Sequence, residues 1–290
     1  MNQYPPIKIS YAFSRRVFLS LLLTAIGATA NAQQQRIVST DAGSTEVLVA
    51  LGNGESLVGI DVTSKLPETL SAPTLGYHRS LSAEGILSLN PDMVIGSEHM
   101  GPPDTVAAIK KAQLTLLRLP TARNEQILKD NIRTISTSID KQSQAQPLLD
   151  HINQTMAFIN ERQLPANTSV AFLLQMDGRG LRLAGTSTTG NDIINLLGGE
   201  NLSQNNGYQS VSSEALLNLE PDIIIVASRD MSRSPTELLL KHHPLLRLTP
   251  AGRQRRIIAV DGRSLVAGIS LTAIDALADI AKQLHKTPAQ

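Results

Sequence analysis

The chain of 290 residues contains no cysteine. This absence excludes disulfide bonds, thiolate metal sites, a cysteine nucleophile and a lipid-modified N-terminal cysteine. We therefore expect a protein without a lipid anchor, whose fold does not depend on disulfide bonds or thiolate-bound metals.

Aromatic residues are also scarce. The chain has no tryptophan, four tyrosines and four phenylalanines. After residue 32, the aromatic residues that remain are Tyr77, Tyr208, Phe158 and Phe172. So few rings do not suffice for an aromatic cage around a bulky ligand. Each remaining tyrosine is therefore a candidate for a specific role.

The first 32 residues predict an export signal. They contain three basic residues and no acidic one, and they continue into an apolar stretch at 17–26. The Ala-Asn-Ala sequence at 30–32 has the small-x-small pattern of a cleavage site before Gln33. The apolar stretch is too short to span a bilayer. Residues 14–19, SRRVFL, also resemble a twin-arginine export motif, so the periplasm is the expected location.

Removing the predicted signal changes the formal net charge from +1 to −2. A chain with no strong positive charge is not expected to bind nucleic acid or an anionic membrane surface. The 258 residues that remain are enough for two medium-sized α/β lobes.

One sequence pattern occurs twice. Residues 81–95, LSAEGILSLNPDMVI, return as residues 211–225, VSSEALLNLEPDIII, with Glu84 and Glu214 at matching positions. Each copy predicts a short helix that begins after a serine N-cap, ends before a proline and leads into a buried strand. Duplication predicts two similar lobes, and a cleft between lobes is a favoured ligand site.

The rest of the chain predicts an α/β fold with two Rossmann-like lobes, each with a central parallel sheet, joined by a long connector helix. After the signal at 1–32, we expect an N-terminal lobe at 33–140, a connector helix at 141–165 and a C-terminal lobe at 166–290. The connector is predicted because 125–163 contains almost no glycine and only Pro147, which we place near a helix start.

An exported, cysteine-free chain with paired S-x-E…L-x-P-D segments resembles the class III periplasmic binding proteins of vitamin B12, siderophore and haem ABC importers. Three segments resemble the haem-binding branch in particular: LGYHRSLSAEG at 75–85, GPP at 101–103 and TPAGRQRR at 249–256. The resemblance implies a monomer that binds ferric haem between its lobes and delivers it to an inner-membrane ABC permease and its ATPase.

The resemblance also implies roles for particular residues. Tyr77 matches the family's axial ligand to haem iron, and phenolate is a hard anionic donor suited to Fe(III). Arg79 matches the arginine beside that phenolate. Four further residues are candidates from their own chemistry and position. His78 and His99 are candidate pocket contacts, and Met176 is a candidate soft iron ligand or a buried core residue. Arg229 is a candidate partner for a haem propionate or a lone surface arginine.

Glu84 and Glu214 have two interpretations. Each lies at the second position of its predicted helix, where a carboxylate complements the helix dipole by a few tenths of a kcal/mol. Under the resemblance, they are the family's docking acids, which pair with arginines on the two permease subunits.

The C-terminal half departs from the family pattern. Residues 174–178 contain no histidine, and AGISL at 267–271 stands where many relatives have a glycine-rich stretch. The number of haems and any second axial ligand therefore stay open.

Three other kinds of function fit the sequence less well. A siderophore or B12 binding protein shares the fold but does not require Tyr77 followed by Arg79. A zinc or manganese importer requires about three converging histidines, and the six histidines here are scattered. A hydrolase is the remote alternative, since the sequence has neither a G-x-S-x-G nor an HExxH motif.

Overall fold

The structure is a computed structural model that describes residues 34–175, 180–228, 231, 234–266 and 268–286. The predicted export signal lies outside the described residues. In the described part of the chain, no helix is long and apolar enough to cross a membrane.

The N-terminal lobe is built on a parallel sheet with the strand order β2-β1-β3-β4. Its strands are β1 (Ile37–Ser39), β2 (Leu57–Ile60), β3 (Met93–Ser97) and β4 (Thr115–Leu119). Its helices are α1 (Ala42–Ala50), α2 (Ala83–Leu87) and α3 (Pro103–Lys111). Every residue of β3 is buried, as its apolar run predicted for a strand covered on both faces.

Two helices follow the first sheet, namely α4 (Glu125–Ser138) and α5 (Gln142–Asn160). The buried residues of α5 recur every three or four positions at Ala145, Leu149, Ile152, Met156 and Ile159, which forms one apolar face. The prediction for Pro147 was wrong, because this residue lies inside α5 and not at its start. A helix tolerates it there at the cost of one backbone hydrogen bond.

The C-terminal lobe is built on a mixed sheet with the order β10-β9-β5-β6-β8, and β7 pairs with β5. The strands β10, β9, β5 and β7 are parallel, whereas β6 and β8 are antiparallel additions. The strands are β5 (Ser169–Gln175), β6 (Leu181–Ala184), β7 (Glu200–Asn201), β8 (Tyr208–Val211), β9 (Ile223–Ser228) and β10 (Ile257–Asp261). The helices are α6 (Thr189–Leu196), α7 (Ser213–Leu219), α8 (Pro235–His242), α9 (Pro250–Arg253) and α10 (Leu271–Lys286).

The duplicated pattern forms the same structure twice. The hydroxyl of Ser82 accepts a hydrogen bond from the Gly85 backbone N–H, and the hydroxyl of Ser212 accepts one from Ala215, each at 3.2 Å. Both serines are thus the N-caps that the sequence predicted. The two-lobed α/β fold is confirmed.

The two lobes share one hydrophobic core. A single cluster of buried residues runs from Ile37 and Ile95 in the first lobe to Phe172 and Ile225 in the second. It passes through α4, α5 and α10, and α5 packs against both other helices. Residues 35–290 accordingly form one compact unit, and the predicted lobe boundaries stay predictions.

The lobes also meet through their backbones beside this core. Ala122, after β4, forms a parallel bridge with Gly268, before α10. The Ile269 N–H donates to the Ala122 carbonyl at 2.7 Å. The Thr272 N–H, in the first turn of α10, donates to the Glu46 carboxylate on α1 at 3.0 Å. These bonds place the end of β4 and the start of α10 side by side.

We predict that Ile152→Ala lowers the free energy of unfolding by about 2–5 kcal/mol, because it leaves a cavity where α5 contacts the shared core. Ile152 is fully buried. Urea unfolding followed by circular dichroism measures the change. The control is Gln154→Ala on the exposed face of α5, which we expect to change stability by less than about 0.5 kcal/mol. Equal stability of the two variants would contradict the shared core.

Candidate functional site

A cavity of about 470 Å³ lies between the two lobes. This volume is within the range of about 300–1,000 Å³ that is usual for small-molecule sites. The first lobe contributes Tyr77, His78, Arg79, His99, Thr121 and Arg123 to its wall. The second lobe contributes Phe172, Leu174, Arg182, Ser187, Thr188, Thr189, Gly207, Tyr208, Ala227, Gly262, Leu265, Val266 and Gly268.

Two other cavities have similar volumes. One of about 510 Å³ lies beside α1 and the start of α10, and one of about 540 Å³ lies beside the end of α5 and the start of β10. Volume therefore does not identify the site. The chemistry of the lining residues identifies the site. Two tyrosines follow the predicted signal, Tyr77 and Tyr208, and both line the cavity between the lobes.

Tyr77 lies in the loop that joins β2 to α2. Gly76 before it has a φ of +99°, and Gly207 before Tyr208 has a φ of +74°, values that favour glycine. The loop is held by backbone hydrogen bonds from Ser80 to the Tyr77 carbonyl and from Gly101 to the His78 carbonyl, at 2.8 and 2.9 Å. The Tyr77 side chain stays 39% exposed. A fixed loop therefore presents an accessible phenol.

His78 is directed toward the lobe interior. Its side chain is 2% exposed, and its Nδ1 lies 3.6 Å from Oδ2 of Asp61, which is itself buried. That carboxylate also accepts hydrogen bonds from the hydroxyls of Thr63 and Ser64. The ring of His78 packs against that of Tyr77, with their centroids 4.1 Å apart. His78 thus supports the tyrosine from behind.

His99 follows β3 and is held by Thr121. The Glu98 carboxylate accepts hydrogen bonds from the Thr121 hydroxyl and N–H, and these bonds lower the pKa of Glu98. An ionised carboxylate only accepts, so the Thr121 hydroxyl donates to it and accepts from Nε2 of His99 at 3.0 Å. Burial first, and then the charge of Arg79, lower the pKa of His99. A neutral ring with its proton on Nε2 therefore leaves Nδ1 as the acceptor.

Tyr208 differs from Tyr77 although both follow a glycine. Burial raises the pKa of Tyr208, against the smaller effects of hydrogen bonds from the Gly190 N–H and the Thr188 side chain. Its hydroxyl is therefore a neutral phenol bound to the start of α6. Arg182 on β6 donates to the Tyr208 carbonyl at 2.7 Å. The second tyrosine is anchored in the wall, whereas the first is accessible.

The cavity carries three arginines, Arg79, Arg123 and Arg182, two from the first lobe and one from the second. Its apolar wall includes Phe172 and Leu265. The arrangement suits an apolar ligand that carries negatively charged groups at its edge, because guanidinium groups bind carboxylates through paired hydrogen bonds.

An ion pair joins the two lobes at this cavity. Nη1 of Arg123 lies 3.5 Å from Oδ2 of Asp192, on the first turn of α6. The Asp192 side chain is 10% exposed and that of Arg123 is 43% exposed. Burial raises the pKa of Asp192 to about 6, and the charge of Arg123 opposes this effect. The Asp192 carboxyl beside the cavity therefore titrates closer to neutral pH than an exposed aspartate does.

The structure brings together four of the residues singled out in the sequence, namely Tyr77, His78, Arg79 and His99. Met176 and Arg229 lie outside the described residues. Glu84 and Glu214 lie away from the cavity, each exposed at the second position of its helix, α2 and α7.

Sequence reasoning gave no role to Arg123, Arg182 or Asp192, and it marked Tyr208 only as one of the scarce tyrosines. The signal for Tyr208 was present, since Gly207-Tyr208 repeats Gly76-Tyr77 just before the second copy of the pattern. For the other three residues, no motif marked them. Among the described residues, no three histidine, aspartate or glutamate side chains are close enough to hold a metal ion.

The chain is similar to several solved structures. It is 33% identical to the periplasmic haem binding protein HutB of Vibrio cholerae, with a TM-score of 0.77, covering 87% of this chain and 99% of that one. It is 31% identical to a periplasmic haem binding protein from Pseudomonas aeruginosa, also with a TM-score of 0.77, covering 88% and 94%.

Curated relatives are more distant. A vitamin B12-binding protein of Yersinia pseudotuberculosis is 26% identical over 73% of this chain and 76% of its own length. An uncharacterised ABC transporter substrate-binding lipoprotein of Bacillus subtilis, YvrC, is 20% identical over 88% of this chain and 84% of its own length.

Residues 37–263 match the family described as periplasmic binding protein, which is a family of transport proteins that bind substrates. The match includes both sheets and every cavity residue up to Gly262. The chain belongs to the periplasmic binding protein family, within the superfamily of haem, B12 and siderophore binding proteins.

Proposed function

We propose that this protein binds ferric haem in the cavity between its lobes, with the Tyr77 phenolate as the iron ligand. The observation that carries the proposal is the accessible Tyr77 phenol on a fixed loop, in a cavity with arginines and an apolar wall. Haem combines the matching features, namely a hard ferric centre, an apolar ring and two carboxylates at one edge. In this proposal the cavity binds haem for transport, and we assign the cavity no catalytic role.

The other cavity residues have supporting roles in this proposal. Arg79 stabilises the phenolate, His78 holds the ring of Tyr77 from behind, and His99 offers a neutral imidazole near the iron. Arg123 and Arg182 are candidates to pair with the haem carboxylates. Met176 and Arg229 stay predicted pocket residues from the sequence.

Similar structures support haem over other ligands. Three solved proteins are more than 30% identical to this chain, namely the two described above and RhuT of Roseiflexus at 32%, and all three are named haem-binding proteins. The periplasmic protein BhuT, 26% identical, has been solved in complex with two haems.

Vitamin B12 is the second candidate, because relatives of 24–26% identity are named B12-binding proteins. The cavity favours haem, since the amide side chains of cobalamin are neutral and its single phosphodiester offers one anion to the arginines, whereas haem offers two carboxylates. An absorbance titration with cyanocobalamin tests this alternative beside haem, and tighter binding of cobalamin would replace the main proposal.

We further propose that the loaded protein delivers haem to an inner-membrane ABC permease through Glu84 and Glu214. Both acids are exposed at equivalent positions of the duplicated pattern. Hydrogen bonds from the backbone N–H of Glu214 and from Ser212 lower the pKa of Glu214, which keeps it ionised. Two matched negative charges on two similar lobes suit a permease with two-fold symmetry.

We predict that Tyr77→Phe abolishes the charge-transfer band expected of tyrosinate-bound ferric haem. We also expect it to weaken haem binding by more than about 100-fold, because losing a ligand costs more than losing a residue that supports one. Titration with haem, followed by visible absorbance, measures both. Tyr208→Phe is the matched control and keeps the band. An unchanged spectrum in Tyr77→Phe would remove Tyr77 from the iron.

The docking proposal predicts that Glu84→Ala combined with Glu214→Ala keeps the wild-type haem affinity but loses stimulation of the transporter ATPase, since only the permease contact is removed. A reconstituted transporter and an absorbance titration measure the two properties. Glu125→Ala with Glu237→Ala is the control pair, because both residues also lie in first turns of helices. Full stimulation by the Glu84/Glu214 variant would contradict the proposal.

The predicted signal is tested by expressing the full chain in a Gram-negative host. We expect the protein in the periplasmic fraction with Gln33 as its first residue, because cleavage follows Ala32. N-terminal sequencing measures the start site. Lysine substitution of both Arg15 and Arg16 stops export on the twin-arginine route but spares the general secretory route. Protein retained in the cytoplasm with Met1 intact would refute the signal.

A further inference from the structure

The ion pair between Arg123 and Asp192 has features that neither haem ligation nor docking requires. It connects the two lobes beside the cavity, and its two partners differ in accessibility. Asp192 is nine-tenths buried on α6, whereas Arg123 is 43% exposed and lines the cavity. Any rearrangement of this pair therefore moves the arginine and leaves the acid in place.

The two charged groups of the pair are also too far apart for a strong hydrogen bond. Its 3.5 Å separation exceeds the 2.7–2.9 Å of a good charge-assisted hydrogen bond. The Asp192 Oδ2 atom is buried and accepts no hydrogen bond from the described residues. A carboxylate that is held in the protein with so little compensation is ready to accept a proton if its one cation leaves.

The equivalent acid of the first lobe shows the alternative arrangement. Glu46 and Asp192 each lie six residues before the glycine that follows its helix, Gly52 or Gly198. Both acids reach the other lobe, but Glu46 accepts a hydrogen bond from a backbone N–H, that of Thr272. A backbone donor cannot leave, whereas the Arg123 side chain can. Only the second acid has an exchangeable partner.

We propose that Asp192 is a positioning residue that holds Arg123 at the cavity until a ligand carboxylate takes the guanidinium, whereupon Asp192 takes up one proton from solvent. This inference rests on the proposed function, because it requires a ligand with carboxylates. The Oδ2 of Asp192 gains the proton as the guanidinium forms its new ion pair, so one proton is bound for each ligand.

The sign of the pH dependence follows from the pKa of Asp192, which burial raises to about 6 in the free protein. Losing Arg123 removes the one cause that lowers this pKa, so it rises further in the complex. At a pH between the Asp192 pKa of the free protein and that of the complex, the complex holds up to one proton more than the free protein. Ligand affinity therefore falls as pH rises above about 6, by up to about tenfold per pH unit.

Other titratable groups surround the pair. Tyr208 faces Asp192, and the charge of Asp192 raises the pKa of Tyr208. The Tyr208 phenol therefore stays neutral near pH 6. In the first lobe, the charge of Arg123 lowers the pKa of His99 and of Glu98. Of the strands that pack against α6, β6 carries Arg182, which binds the Tyr208 carbonyl, and β7 carries Glu200, which is exposed. Among the described residues, Arg123 is the one whose charge shifts the pKa of Asp192.

The test uses metal-free protoporphyrin IX, because a ligand without iron removes iron ligation by Tyr77 from the measurement. Fluorescence titrations of the purified protein are run from about pH 6.5 to about pH 8.5, above the ordinary range of carboxylic acids. We expect wild-type affinity to fall with rising pH, by up to about tenfold per unit. Asp192→Asn, which is neutral at every pH, should bind with little dependence on pH.

Two further variants complete the test. Glu46→Gln alters the equivalent acid outside the cavity and should keep the wild-type slope. Arg123→Gln removes the exchangeable cation and should flatten the slope, which keeps the test valid if Asp192→Asn fails to fold. A wild-type slope that survives in both Asp192→Asn and Arg123→Gln would assign the proton to another group, such as His99, and overturn the inference.

Flat affinity in the wild type would also overturn the inference, while porphyrin binding would leave the haem proposal intact. Failure of the wild type to bind either porphyrin or haem would overturn both proposals. The two failures are therefore distinguishable in one set of titrations.

Discussion

The cleft depends on the joint packing of α4, α5 and α10 against both sheets. These helices bury one continuous apolar cluster that belongs to both lobes, so the lobes are fixed at their base while their sheets stay separate. Beside the cluster, the Ala122 and Gly268 backbones pair directly. This connection forms the floor of the cavity, which loop residues of the first lobe and residues of the second lobe line together.

Duplication explains the framework of the cavity, and asymmetry explains its chemistry. The two halves place a Gly-Tyr pair before the same capped helix, and both tyrosines face one cavity. Tyr208 is half-buried and hydrogen-bonded to the start of α6, and burial raises its pKa, whereas Tyr77 remains accessible. One copy of the motif thus became part of the wall while the other kept a free donor atom.

The same divergence appears in the acids that cross between lobes. Glu46 binds the N-terminus of α10 and completes the floor, a structural role with a fixed partner. Asp192 meets an arginine side chain that also faces the cavity. Because a side chain can exchange partners and a backbone amide cannot, equivalent positions in a duplicated fold can take up different tasks.

Local pattern alone determined much of this protein. Apolar runs, serine caps and prolines predicted the strands and helices around both copies of the motif, because caps and strand burial depend on neighbours in sequence. Tyr77 was marked by the resemblance of its segment to the haem-binding branch of the family. Only the tertiary structure placed Pro147 inside α5, packed Tyr208 against α6 and brought Arg123 to Asp192. Those outcomes depend on residues distant in sequence that meet through the shared core, and no spacing in one strand or helix records such a meeting.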